Sequence, residues 1–177
     1  DNFELRNWQL QFSQRNVMFI QLVGEHRALR LPPDSTFRWS LFVDRTRRVQ
    51  PDIRRIGYSR EYLSNDPFVF QSRASAGDRI HTNLSQSDAG WLAQLRAPVI
   101  EGGLVSLGTE GRFTSRSYEM RNFLYNRLNG GEATAFEQDA NTLFVPENYD
   151  ELFDFRETST DKDSYDASQA SIAAFVM

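Results

Sequence analysis

A mainly β fold is what this sequence predicts: an antiparallel sandwich, with the jelly roll as its narrower form, carrying one or two short helices. Three observations predict it. Phe37, Trp39, Leu41 and Val43 alternate with Arg38, Ser40 and Phe42, the period of a strand with one apolar face. Gly and Pro punctuate the chain at Gly24, Pro32-Pro33-Asp34-Ser35 and Gly102-Gly103, as turns between short strands do. The chain has 177 residues, 40% hydrophobic and 13% aromatic, enough to fill one core.

Taken in order, Phe3, Leu5, Trp8, Leu10 and Phe12 read as a strand with a phase slip, hence a bulge. A turn over residues 13–16 precedes a strand from Val17 to Val23, which Gly24 ends. The strand through Phe37–Val43 is the clearest in the chain. Residues 44–66 read as Arg-rich and irregular, with Pro51 and Gly57 as breakers, and Phe68-Val69-Phe70 as a short buried strand. Residues 72–90 read as polar loop. Ser87-Asp88 is placed to cap a short helix through Trp91, Leu92 and Leu95. Gly102-Gly103 reads as a hairpin or bulge between Val99-Ile100 and Leu104–Leu107.

Met120, Phe123, Leu124 and Leu128 share a helical face, and Gly130 fits its stop, so 114–129 reads as helix, with a hairpin at Asn129-Gly130-Gly131 as the alternative. Thr142–Val145 reads as a strand. The domain division follows: a single β-rich domain over 1–155, then a polar acidic tail over 156–177 whose tip, Ile172, Phe175, Val176 and Met177, is apolar and suited to docking on a neighbour.

The charge is uneven. Nineteen of twenty basic residues are Arg, and Lys162 is the one lysine. Residues 1–60 carry a net +5, 61–120 a net −2 and 121–177 a net −7. Arginine tolerates burial and pairs bidentately with carboxylate or phosphate, so the bias points to buried or paired contacts. The densest segment, 45–60, holds Arg45, Arg47, Arg48, Arg54, Arg55 and Arg60, with Tyr58 as a stacking group. Its expected partner is carboxylate, in the acidic C-terminal third or on a neighbouring copy, or else RNA through phosphate contact and base stacking.

Catalytic and metal chemistry finds no signature. There are no cysteines, and the two histidines, His26 and His81, lack a metal-binding spacing. Asp161, Asp163 and Asp166 lack the glycine and closing glutamate of a calcium loop. Glu101 and Glu110 are the only pair placed for acid–base work, and spacing alone does not join them. Asn83-Leu84-Ser85 is a glycosylation sequon. No run approaches 18 apolar residues, so the chain is expected to have no membrane partner, no metal and no small-molecule cofactor.

Residues 73–86, Arg-Ala-Ser-Ala-Gly-Asp-Arg-Ile-His-Thr-Asn-Leu-Ser-Gln, resemble a segment of small plant satellite-virus coat proteins. The resemblance implies a jelly-roll subunit that assembles into a shell around RNA, and it transfers no catalytic residue. The basic arm usual at that family's N-terminus is missing, since residues 1–5 carry no Arg or Lys. The expectation is therefore a structural, self-assembling homo-oligomer of virion or shell type. A β-rich nucleic-acid- or protein-binding module and a Lys-depleted secreted effector enzyme are its alternatives.

Overall fold

The computed structural model describes residues 2–27, 31–73, 76–100, 102–128 and 133–177. The mainly β, antiparallel class is present. Eight strands hydrogen-bond into one sheet: β1 (Phe3–Gln11), β2 (Gln14–Arg27), β3 (Thr36–Glu61), β4 (Val69–Phe70), β5 (Gly77–Ile100), β6 (Gly103–Arg127), β7 (Phe153–Glu157) and β8 (Tyr165–Val176). One short helix, α1 (Ala140–Leu143), and three 3-10 turns complete the described elements.

The strands are longer than the sequence suggested. β3 runs through Pro51 and Gly57, and β5 covers both the expected loop and the expected helix after Ser87. β6 replaces the helix expected over 114–129; Asn129-Gly130-Gly131 lie outside the described residues. β2 passes Gly24 and ends at Arg27. No bulge interrupts β1, whose register on β3 is constant from Phe3↔Glu61 to Gln11↔Ile53. Residues 142–143 belong to α1 and not to a strand, because the Asp139 carboxylate caps its first turn through the Asn141 N–H at 3.0 Å.

The chain divides into two compact units, neither of them continuous in sequence. The first comprises Asp1–Gln14, Val49–Asn83 and Glu119–Ser164. Its core is aromatic: Ile56, Tyr58, Phe70, Tyr125, Phe136, Leu143 and Phe153 are buried together, with Phe136, Leu143 and Phe153 fully so. Phe70 meets Phe144 and Phe153 edge-on at ring distances of 5.2 and 5.4 Å, the favoured geometry for such pairs. The sheet's other layer here comes from α1 and the 3-10 turns at Ala133–Glu137 and Pro146–Asn148.

The second unit comprises Arg15–Arg48, Leu84–Tyr118 and Tyr165–Met177. Its strands follow the order β2, β3, β5, β6, β8. β8 pairs with β6 from Leu107↔Val176 to Tyr118↔Tyr165. The segment expected as a polar tail with a docking tip is thus a paired strand, and the division at residue 155 does not hold. At one end β5 and β6 join through residues 101–102, where Gly102 takes the left-handed conformation (φ 78°) that a tight turn requires.

Candidate functional site

Side chains alternate across a strand, so each strand of the second unit presents two rows. Contacts fix how the rows align. Trp39 lies over Gly24, Trp91 lies over Gly111 and meets Phe113 at 5.8 Å, and Gly111 pairs with Ile172. On the opposite face Phe42 sits against Phe19 and Gly90, Phe175 covers Gly108, and Arg112 and Thr114 reach Asp88.

One face is therefore predominantly apolar, interrupted on β6 by Thr109 and Gly111. It carries Met18, Ile20 and Leu22 on β2; Phe37, Trp39, Leu41 and Val43 on β3; Ala89, Trp91, Ala93, Leu95, Ala97 and Val99 on β5; Val105, Leu107 and Phe113 on β6; and Ala170, Ile172, Ala174 and Val176 on β8. These side chains are not covered: Ile172 is 69% and Val176 73% exposed, and Met18, Ile20, Leu22, Leu41, Val99, Leu107 and Phe113 are exposed too. Among the described residues, none of the buried apolar side chains belongs to this unit.

The apolar band stops on one line. Val43 gives way to Arg45, Ala89 to Ser87, Phe113 to Ser115 and Ala170 to Ser168, and all eight residues line one shallow depression. The register of β6 and β8 puts Phe113 opposite Ala170 and Ser115 opposite Ser168. Trp91 and Phe113 stand just inside this line.

The opposite face is polar and hydrogen-bonded. Asp88, its side chain 1% exposed, accepts from Gln86 Nε2 at 2.7 Å, from Arg112 Nε at 3.0 Å and from the Thr114 hydroxyl. Burial opposes its charge, but the bonds from Thr114, Gln86 and Arg112 outweigh that and hold its carboxyl below the usual carboxylate range. Arg116 donates to Gln86 Oε1 through Nε and Nη2 at 3.0 and 2.6 Å. Ser106 is also buried here. Apolar side chains also stand on this side: Val17, Phe19 and Val23 on β2, Phe42 on β3, Leu92 on β5, Leu104 on β6 and Phe175 on β8.

The expected arginine site is divided. Arg45 and Arg47 lie at the polar end of the apolar face, exposed, while Arg48 turns to the other side with its Nε buried and without a hydrogen-bond partner. In the first unit Arg54 and Arg79 both bind Asp52, at 2.9 and 2.7 Å. Burial opposes the charge of Asp52 too, and the two arginines still hold it low. Arg55 Nε donates to the buried Asp78 at 2.7 Å. Arg60 binds Glu4 at 2.7 Å and, with Arg6, brackets the Phe68 ring. Tyr58 is buried and donates to the Gln138 carbonyl at 3.1 Å; burial and then Asp139 push its hydroxyl up to about 12. The guanidinium–carboxylate pairing is as the composition suggested, but the acids Asp52, Asp78 and Glu4 come from the first half of the chain, not the acidic C-terminal third.

Of the expected docking tip, Ile172 and Val176 lie on the apolar face, Phe175 covers Gly108 on the other, and Met177 exchanges backbone bonds with Ser106 at 2.8 and 2.9 Å. Glu101 lies outside the described residues; Glu110 is exposed on the polar face. His26 accepts from Trp39 Nε1 at 3.1 Å, and His81 packs against Phe123. Asp163 closes a capping box with Thr160 instead of facing Asp161 and Asp166 across an ion. The sequence reading missed the rows of β5, β6 and β8. Their signal was legible: Ala89, Trp91, Ala93, Leu95, Ala97 and Val99 occupy every second position.

The chain matches no protein-family model and no curated protein sequence. No helix among the described residues is long and apolar enough to cross a membrane.

Proposed function

We propose that the second unit is a stretch of wall of a transmembrane β-barrel of the outer-membrane type, and that the protein serves as a channel-type carrier of polar solutes. The observation that carries this is the apolar band that ends on one line across β3, β5, β6 and β8 while the arginines and acids of these strands gather on the mixed reverse face. Lipid-facing and lumen-facing residues alternate in such barrels, with aromatic residues near the rims. The band is nine to eleven residues long on β6 and β5. That is about 30–36 Å along the strand, or about 23–28 Å along the membrane normal at a tilt near 40°, against roughly 25 Å of hydrocarbon. The missing 18-residue apolar run bears on helical spans alone.

Connectivity supports the same reading. Barrels of this type join strands by short turns on one side and long segments on the other. Here two residues in sequence separate β5 from β6, whereas 35 residues (49–83) and 46 residues (119–164) of the chain intervene between the unit's other segments. β2 and β8 each keep one unpaired edge in the described sheet, which hydrocarbon does not tolerate, so further strands close the wall beside them.

A shell subunit is the second reading. The unpaired edges and the bare apolar face favour it, since neighbouring copies would cover both. The sharp polar limit of the band favours lipid. Refolding of the full chain with and without phospholipid vesicles separates the two. The barrel reading expects protein that floats with vesicles, resists an alkaline wash and needs detergent once extracted. A regular, detergent-free oligomer would favour the shell. A detergent-free monomer would remove both.

A further inference from the structure

The charged groups of the second unit are sorted by face, and the sorting bears on what passes along the wall. Alternation places Arg38, Arg96, Arg112 and Arg116 on the polar face, all exposed, together with Arg15 and Arg27 on β2. The acids on that face are Glu25, Asp44, Asp88 and Glu110. Asp88 is buried and already bound by Arg112, Thr114 and Gln86. Asp44 accepts from Thr46 on its own strand. Arg116 is held by the neutral amide of Gln86, so its charge is oriented without being cancelled. Arg38 and Arg96 meet no carboxylate among the described residues, which leaves Glu110 as the one exposed acid on β3, β5 and β6 of this face.

Resting on the barrel reading, we infer that this face favours oxyanion solutes, such as phosphate-bearing or carboxylate-bearing molecules, over cations. Arginine is the side chain suited to the task, because its planar fork binds carboxylate and phosphate bidentately. Rings of Arg and Lys confer anion selectivity on pores, and lumen-facing substitutions tune it. A guanidinium pinned by a neutral partner loses little entropy when an anion arrives, so Arg116 is preorganised. The net chain charge is negative, so the preference is local to this face.

Planar-bilayer recording under a potassium chloride gradient tests the inference. The expected result is a reversal potential on the chloride side, with Arg96→Glu/Arg116→Glu lowering the anion preference at least fivefold and Arg121→Gln, in the first unit, leaving it unchanged. A cation-selective wild type, or a double variant that matches it, overturns the inference. Should the inserted protein not conduct, titration with tripolyphosphate in detergent micelles decides. Binding weakened at least tenfold by the double substitution supports the inference, and absent or unaltered binding overturns it. Protein that never enters vesicles refutes the barrel reading itself, a separate outcome from insertion without anion preference.

Discussion

Asp88 shows how a residue's neighbours decide its role. Beside Ser87 it looks like a helix cap, yet its carboxylate serves three donors on its own and the next strand. Asp88→Ala strands the Arg112 and Thr114 donors and is expected to cost about 2 kcal/mol in denaturant unfolding, the usual penalty for orphaned partly buried donors. A carboxylate held low by its fold stabilises the protein fully above the unfolded value, near pH 4, and loses that contribution as pH falls through the lowered folded value. Acidification from pH 6 to about 3 should therefore destabilise the wild type more than Asp88→Asn, measured by unfolding midpoints; equal losses would refute the account. Glu157 is exposed and pulled down to about 2, first by the hydrogen bond from Arg121 and then by that from Ser159. Arg121→Gln should return it to the ordinary glutamate range in an NMR titration.

At the scale of elements, strand type was legible where one face alone is apolar, as on β3 from Phe37 to Val43. It was illegible where both faces are. Phe123 stacks on Phe155 at 5.0 Å while the next residues, Leu124 and Tyr125, divide between the two sides, so β6 loses its alternation and mimics a helical face. Pro51 and Gly57 looked like breakers because local propensity does not see the flanking strands that hold β3 straight. The arginine pairing was legible as chemistry but not as geometry, since Asp52, Asp78 and Glu4 are chosen by register. The apolar face makes its own prediction. Leu41→Arg and Ile172→Arg are expected to cost about 2–4 kcal/mol each in vesicle-embedded protein, and Gln94→Arg on the polar face about 1 or less. Exposed positions in water would shift stability by only about 0.5 kcal/mol, so a neutral result on both faces would contradict lipid exposure.

The whole molecule uses its apolar residues in two opposite ways. The first unit buries an aromatic core, with Phe136, Leu143 and Phe153 fully buried, although β1 leaves Phe3, Leu5, Trp8 and Leu10 exposed; Phe153→Ala should cost about 3–5 kcal/mol by leaving a cavity among four rings. The second unit displays them, in a band broader than soluble monomers ordinarily expose. Trp39 and Trp91 stand on the apolar face, and Trp8 lies half exposed on β1 in the first unit. Fluorescence of single-tryptophan variants in vesicles of bromine-labelled lipid reads the central claim directly. Trp39 and Trp91 should be strongly quenched by bromine within the acyl chains. Quenching of neither would contradict the account.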